Sequence, residues 1–371
     1  MPQAEVRIDL DAVRHNVARL RQAAPGAELM AVVKADGYGH GMVPVSRAAL
    51  QAGATWLGVC TLDEALTLRR AGITAPVLAW LLGPDQPLHL AVDADIDLSA
   101  SSMEQLAAAV LAARRSGRPA RVHLKLDTGL SRAGETPDRW AVLVEAAGKA
   151  QADGDIEVVG VWSHLVHADA PSHPTIERQL SLFKQGLELA AAYGIHPRHQ
   201  HLANSAATLT RPDTHFTMVR PGIAVYGLSP VPGETFGLRP AMTARARIVL
   251  TKRVPADQGV SYGHTYRTGR ETTLALVPVG YADGVPLAAS NVAQVAVGGR
   301  RYPIAGRVCM DQLVIDCGDD PVSVGDVAVL FGTGEDGAPT ADDWARAVGT
   351  INYEIVARFG SRRVARVYDH E

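Results

Sequence analysis

The chain has 371 residues, 47% of them hydrophobic, with a formal net charge of -3. That length exceeds what one core usually serves, so two domains are expected, and the short, scattered basic pairs Arg114-Arg115 and Arg362-Arg363 read as solvated faces that give no reason to expect a nucleic-acid partner. The first nine residues hold no apolar signal core, the longest apolar stretch (around Pro76 to Leu82) is too short to span a bilayer, and Cys60, Cys309 and Cys317 lack C-x-x-C spacing; a soluble cytoplasmic chain with reduced, mostly buried thiols is expected.

Val6 to Ile8 reads as a strand ahead of the first helix, assigned with the second domain. From Leu29 onward, short β-rich runs alternate with helical patterns: Leu29 to Val33, Trp56 to Cys60, Val77 to Trp80, Ile96 to Ser99, Val122 to Asp127, Val158 to Ser163, Gln200 to Ala203 and Phe216 to Val219. Thr61-x-x-Glu64 and Ser102-x-x-Gln105 are capping boxes that open two of the helices. Eight strand-helix units point to a (β/α)8 TIM-like barrel over residues 9–234. A doubly wound open sheet is the structural alternative, although Gly37-x-Gly39-x-Gly41 lacks its glycine spacing.

Pro230, Pro232, Gly233, Gly237 and Pro240 cluster as loop punctuation, and the pattern then changes to alternating, valine-rich strands. Arg245 to Leu250, Thr273 to Val279, Gln294 to Val297, Leu313 to Asp316, Val327 to Phe331 and Val364 to Tyr368 predict a mainly β C-terminal domain over residues 235–371.

Barrel enzymes carry their chemistry at the carboxyl ends of the strands, and polar candidates fall there repeatedly. Lys34 follows the first run, Lys125, Asp127 and Arg132 the fifth, His164 the sixth, Asn204 and Ser205 the seventh, and Arg220 and Gly222 the eighth. An amine delivered by an apolar strand into the glycine-broken loop Ala35 to Gly41 has two readings, a lysine marking a strand end and a Schiff-base lysine. His164 is equally readable as a satisfied core histidine. His196-x-x-His199-x-His201 invites a metal reading but has no accompanying carboxylate, so no metal site is expected. Taken together, the rim residues suit a cofactor with an aldehyde for Lys34 and a phosphate for Ser205 and the amides near Gly222 and Ile223, and pyridoxal 5'-phosphate fits that description.

The run Ala31 to Gly41 resembles the cofactor-lysine signature of alanine racemases, with Asp36-Gly37 where Asn-Ala is more usual. The resemblance extends in order through Asp127 to Gly134, Ala203 to Ser205, Val219 to Gly227, Val260 to Gly263, Val279 to Gly284, Cys309 to Gln312 and Ile351 to Glu354. It implies a racemase that interconverts L- and D-alanine for peptidoglycan synthesis, with Lys34 bound to the cofactor. Tyr38, Ser205, Gly222, Ile223 and Tyr353 would surround the phosphate, with Asn204 nearby, and Arg220 would face the pyridine nitrogen. A guanidinium there leaves the nitrogen unprotonated and the ring a weaker electron sink. His164 would sit between Arg220 and Tyr262.

Racemisation needs acid-base groups on both faces of the α-carbon. The resemblance assigns Lys34 to the D enantiomer and Tyr262, from the partner subunit of a homodimer, to the L enantiomer. Arg132 and the amide of Met310 would hold the substrate carboxylate, with Tyr281, Tyr353 and Asp311 at the entrance. Lys125 occupies the place where some family members carry a carbamylated lysine that orients the neighbouring arginine; the other reading is a neutral or ion-paired barrel lysine. Three competing readings are a decarboxylase on a related barrel, which Arg220 argues against, a non-catalytic cofactor-binding barrel, and a lysine-dependent aldolase.

Overall fold

An antiparallel partner, Met242–Arg247, and a parallel one, Ala365–Asp369, flank the first strand, β1 (Ala4–Asp9), in a six-stranded sheet completed by Val327–Phe331, Gln294–Val297 and Arg300–Pro303. The computed structural model describes residues 1–359 and 364–369, so Arg362-Arg363 lies outside the described residues. Its contacts divide the chain into two units: Met1–Val13, Tyr38–Gly41 and Arg239–Glu371 form one, and Arg14–Gly37 with Met42–Leu238 the other.

The second unit is the barrel. Its strands are β2 (Glu28–Val32), β3 (Trp56–Val59), β4 (Val77–Ala79), β5 (Asp97–Ala100), β6 (Ala120–Lys125), β7 (Ile156–Trp162), β8 (His199–His201) and β9 (Met218–Val219). Each neighbouring pair from β2 to β8 is parallel, and β9 returns to pair with β2. Closure comes from main-chain bonds of Thr217 N–H to Gln200 O (3.2 Å) and Arg220 N–H to Ala203 O (2.9 Å). Strands covered on both sides read as continuous apolar runs, which is why the sequence marks them. Met30, Trp56, Leu78 and Met218 pack inside, and Gly58 makes room for Trp80: a Cβ there would lie 2.6 Å from its ring.

Thr61 and Glu64 form the expected reciprocal box. At the other box, the Ser102 hydroxyl accepts from Gln105 N–H, but the Gln105 carbonyl turns one residue further back, to Ser101 N–H at 2.8 Å.

In the first unit the expected strand Arg245 to Leu250 is two strands, Met242–Arg247 and Leu250–Val254. The chain breaks at Ile248 and Val249, where Ile248 N–H bonds Asp326 O and Val249 N–H bonds Leu276 O, so the two halves pair in different sheets. Leu250–Val254, Thr272–Val277 and Leu313–Asp316 make an antiparallel three-stranded sheet over a core of Val254, Val260, Leu274 and Ala305. The thiols also depart from expectation: Cys317 is buried, but Cys60 and Cys309, which lie in loops, are half-buried. Among the described residues no helix is long and apolar enough to cross a membrane.

Candidate active site

Lys34 is the second residue past β2, and the backbone beyond it turns left-handed, with φ of 52° at Ala35, 49° at Asp36, 63° at Gly37 and 51° at Tyr38. Such a turn costs roughly 1–2 kcal/mol for each residue bearing a Cβ, so something must hold it. Gly37 N–H bonds Val33 O at 2.8 Å, and the Asp36 carboxylate accepts Met42 N–H at 2.9 Å. Glu64 supplies a third restraint: one carboxylate oxygen accepts Ala35 N–H at 2.7 Å, the other Cys60 N–H at 2.8 Å and Thr61 N–H at 3.2 Å. The residue read from sequence as a helix cap thus also ties the loop after β2 to the loop after β3.

Lys34 is half-buried, with Nζ 5.9 Å from the Trp80 ring. Burial lowers its pKa; the nearby Arg132 acts in the same sense, while Cys60 and Glu64 oppose it. The Lys125 amine, at the end of β6, lies 4.2 Å from the Trp162 ring. Burial, then the charges of Arg220 and Arg132, bring its pKa down to about 8. Arg132 itself is exposed. Asp127 shapes the loop that follows it, because its Oδ1 accepts the amides of Gly129, Leu130 and Ser131 at 2.8, 2.9 and 3.2 Å.

Asn204 caps the short helix Ser205–Thr210, accepting Ala207 N–H at 3.2 Å. The Ser205 hydroxyl accepts the amides of Gly222 (2.8 Å) and Ala224 (3.3 Å). The hydroxyl and these main-chain donors meet at one edge of the mouth, a set that an anion entering there would compete for.

Arg220 is the most heavily bonded residue of the site. Its Nη1 donates to His201 O at 2.7 Å and to His201 Nδ1 at 3.2 Å; Nη2 donates to Ser163 O at 2.7 Å and to His164 Nδ1 at 3.3 Å. The guanidinium also lies 4.8 Å from the Trp162 ring. Burial brings its pKa down to about 9, which leaves it charged at neutral pH. His164 falls well below the usual histidine range through burial and then the Arg220 charge, so it is a neutral ring that accepts at Nδ1. The barrel mouth therefore gathers Lys34, Lys125, Arg132, His164, Asn204, Ser205, Arg220, Gly222 and Ile223. A half-buried amine, an anion-binding edge and a guanidinium fit the aldehyde, phosphate and ring nitrogen of pyridoxal phosphate.

The remaining candidates belong to the other unit. Tyr38 and Tyr353 face each other there, with ring centroids 6.3 Å apart. Tyr262 is 71% exposed in a 3-10 turn after Ser261, whose φ is 59° and whose hydroxyl donates to Arg307 O at 2.6 Å. Tyr281, Met310 and Asp311 are also exposed. Gly280 permits close main-chain approach to the loop holding Met310, since a Cβ would lie 2.2 Å from Cys309 O; Tyr281 N–H and Ala282 N–H then bond Cys309 O and Met310 O, each at 3.0 Å.

Two models of the alanine racemase family, its N-terminal and C-terminal domains, match residues 8–230 and 241–368. The chain belongs to the alanine racemase family. It is 69% identical to the alanine racemase of Salinispora arenicola over 371 residues, covering 100% of both chains, and 53% identical to that of Streptomyces coelicolor, covering 100% of this chain and 96% of the other. Among solved structures it resembles the alanine racemase of Streptomyces lavendulae, with a TM-score of 0.98, 54% identity, and coverage of 100% and 97% of the two chains. The Bacillus anthracis alanine racemase solved with bound L-Ala-P gives a TM-score of 0.89 at 36% identity, with coverage of 100% and 96%.

Several residues that shape this alanine-racemase site are not marked by the sequence pattern: Glu64, Trp80, Trp162 and His201. Glu64 had a signal in its capping box. His201 stood out only in a histidine pattern that suggested a metal, whereas it accepts from Arg220, and the tryptophans had no signal because they act through packing inside the barrel. Of the His196-x-x-His199-x-His201 pattern, where no metal site was expected, His199 and His201 sit inside the barrel against Trp56 and Trp162, whereas His196 is exposed.

Proposed function

We propose that the chain interconverts L- and D-alanine with pyridoxal 5'-phosphate as cofactor, as a cytoplasmic homodimer that supplies D-alanine for peptidoglycan. The observation that carries this reading is the convergence, at one barrel mouth, of an amine whose pKa burial lowers, an anion-binding edge and a buried arginine in a chain of this family. Bound pyridoxal phosphate supplies the electron sink that makes the α-proton of the amino acid removable. Lys34 would hold the cofactor through Nζ and, once the substrate's amine has taken its place there, the freed Nζ would move the α-proton on the face used by D-alanine. Tyr262 of a second copy moves it at Oη on the opposite face, used by L-alanine. By family likeness Ser205, the Gly222 and Ile223 amides, Tyr38 and Tyr353 would hold the phosphate, with the Gly222 N–H exchanging Ser205 Oγ for the anion and Asn204 shaping the Ser205 turn. Arg220 would face the ring nitrogen and, as a guanidinium that keeps its proton, would leave the ring a weaker electron sink. Arg132 and the Met310 amide orient the substrate carboxylate, while Tyr281, Tyr353 and Asp311 narrow the entrance.

The test is incubation of the holoenzyme with L-alanine in deuterated water. D-alanine carrying deuterium at Cα is expected; its absence, with bound cofactor verified, overturns the reading. Lys34→Ala should also lose the visible absorption of the lysine-linked cofactor.

A further inference from the structure

Behind Arg220 runs a line of buried polar groups that the proton transfers above do not use. Asp97 opens β5, His123 lies within β6 and His201 closes β8, so the line climbs from the amino-terminal end of the barrel to its mouth. Asp97 Oδ2 is 3.2 Å from His123 Nε2, His123 Nδ1 is 2.9 Å from His201 Nε2, and His201 Nδ1 is 3.2 Å from Arg220 Nη1. Asp97, His123 and His201 are all 0% exposed.

The two ends dictate every proton between them. A guanidinium only donates, so His201 Nδ1 must accept and Nε2 carries the proton; His123 Nδ1 then accepts, and its own Nε2–H points at a carboxylate oxygen, which only accepts. Arg121 secures the far end by donating to Asp97 Oδ1 from Nε at 2.7 Å and from Nη2 at 2.6 Å. The surroundings are built for this line. His201 stacks on Trp162 with centroids 5.6 Å apart, and His123 meets Trp56 edge-on at 5.6 Å and stacks on His199 at 5.9 Å, with Glu28 2.8 Å from His199. A bulge in the β6–β7 pairing sets His123 opposite Gly160, where a Cβ would come within 2.0 Å of His123 Nδ1.

We propose that Asp97, His123 and His201 form a positioning chain that commits Arg220 Nη1 to His201 Nδ1 and thereby sets the orientation in which Arg220 meets the cofactor ring. The inference rests on the reading of Arg220 given above. The same guanidinium donates from Nη2 to His164 Nδ1, which by itself puts the His164 proton on Nε2.

Asp97→Asn tests the wiring by reversing it. Its amide oxygen stays with the two Arg121 donors, leaving the amide nitrogen to face His123 Nε2. His123 must then donate from Nδ1, and His201 must carry its proton on Nδ1, directly against Arg220. Two-bond 1H–15N correlation spectra of 15N-histidine-labelled holoenzyme, assigned with His123→Gln and His201→Gln, should show Nε2–H tautomers for both rings in the wild type and an Nδ1–H His201 in Asp97→Asn. The kcat for L-alanine should fall about tenfold with KM changed less than about threefold, because orientation rather than substrate binding is lost. A wild-type His201 that is an imidazolium or an Nδ1–H tautomer overturns the inference, and so does an inverted His201 with unchanged kcat. An unchanged tautomer in Asp97→Asn overturns it too. If Asp97→Asn does not fold, the wild-type spectrum still decides the wiring. A wild type with the expected tautomers but no deuterium exchange into alanine would instead refute the racemase reading.

Discussion

At the scale of single residues, Lys125 shows how the barrel interior changes an ordinary side chain. The residue is 6% exposed, near Arg220 and Arg132, and its pKa falls from 10.5 to about 8, chiefly through burial. The folded state therefore holds fewer protons than the unfolded state between those two values, and stability must rise with pH across that window. Below about pH 8 the cost of the buried charge is fully present, on the order of 3 kcal/mol at most for a shift of this size. In carbonate-free buffer, Lys125→Met should therefore gain stability over the wild type at pH 7, with the gap closing towards pH 10.5; chemical denaturation at several pH values measures it. A gap that does not shrink with pH would mean that folding leaves the lysine's pKa unshifted. Carbon dioxide offers the other relief, since a carbamate would replace a buried cation with an anion facing two arginines. Added 13C-bicarbonate should then give a carbamate carbon signal in the wild type that Lys125→Met lacks.

At the scale of elements, the turn after β2 explains what the Asp36-Gly37 departure does. Asp36 is exposed, and its carboxylate accepts Met42 N–H and caps the segment that follows. Asp36→Asn keeps an acceptor in the same place and a residue type tolerant of φ near 49°, so its thermal midpoint should stay close to that of the wild type. Asp36→Ala loses the bond and should cost about 1 kcal/mol by denaturant titration. Equal destabilisation by both would mean that the charge, not the bond, matters. Most strands of the barrel were legible because burial on both faces favours apolar runs, although β8 is His199-Gln200-His201, and the rim residues because each falls just past a strand. Leu250–Val254 and Arg300–Pro303 were not, since both are largely exposed and carry no apolar stripe. The link from Asp97 to Arg220 was illegible for another reason. Its members lie 26, 78 and 19 residues apart, and only parallel pairing with a bulge opposite Gly160 brings them into line.

At the scale of the whole molecule, the proposed division of labour puts the two proton-moving groups on different chains. Tyr262 stands 71% exposed on its own chain, as expected of a side chain that acts on another copy. If each site takes Lys34 from one chain and Tyr262 from the other, Lys34→Ala and Tyr262→Phe homodimers each have two damaged sites. A mixed dimer differs: one site combines both substitutions, while the other combines two intact residues. Dissociating and re-pairing equal amounts of the two variants should therefore restore roughly a quarter of wild-type activity, because random pairing makes half of the dimers mixed and each carries one complete site. Were Lys34 and Tyr262 to act within one chain, every site would keep a lesion and mixing would restore nothing. The recovered activity should also scale with the mixed-dimer fraction, measured on differently tagged chains, which separates true complementation from residual activity of either variant.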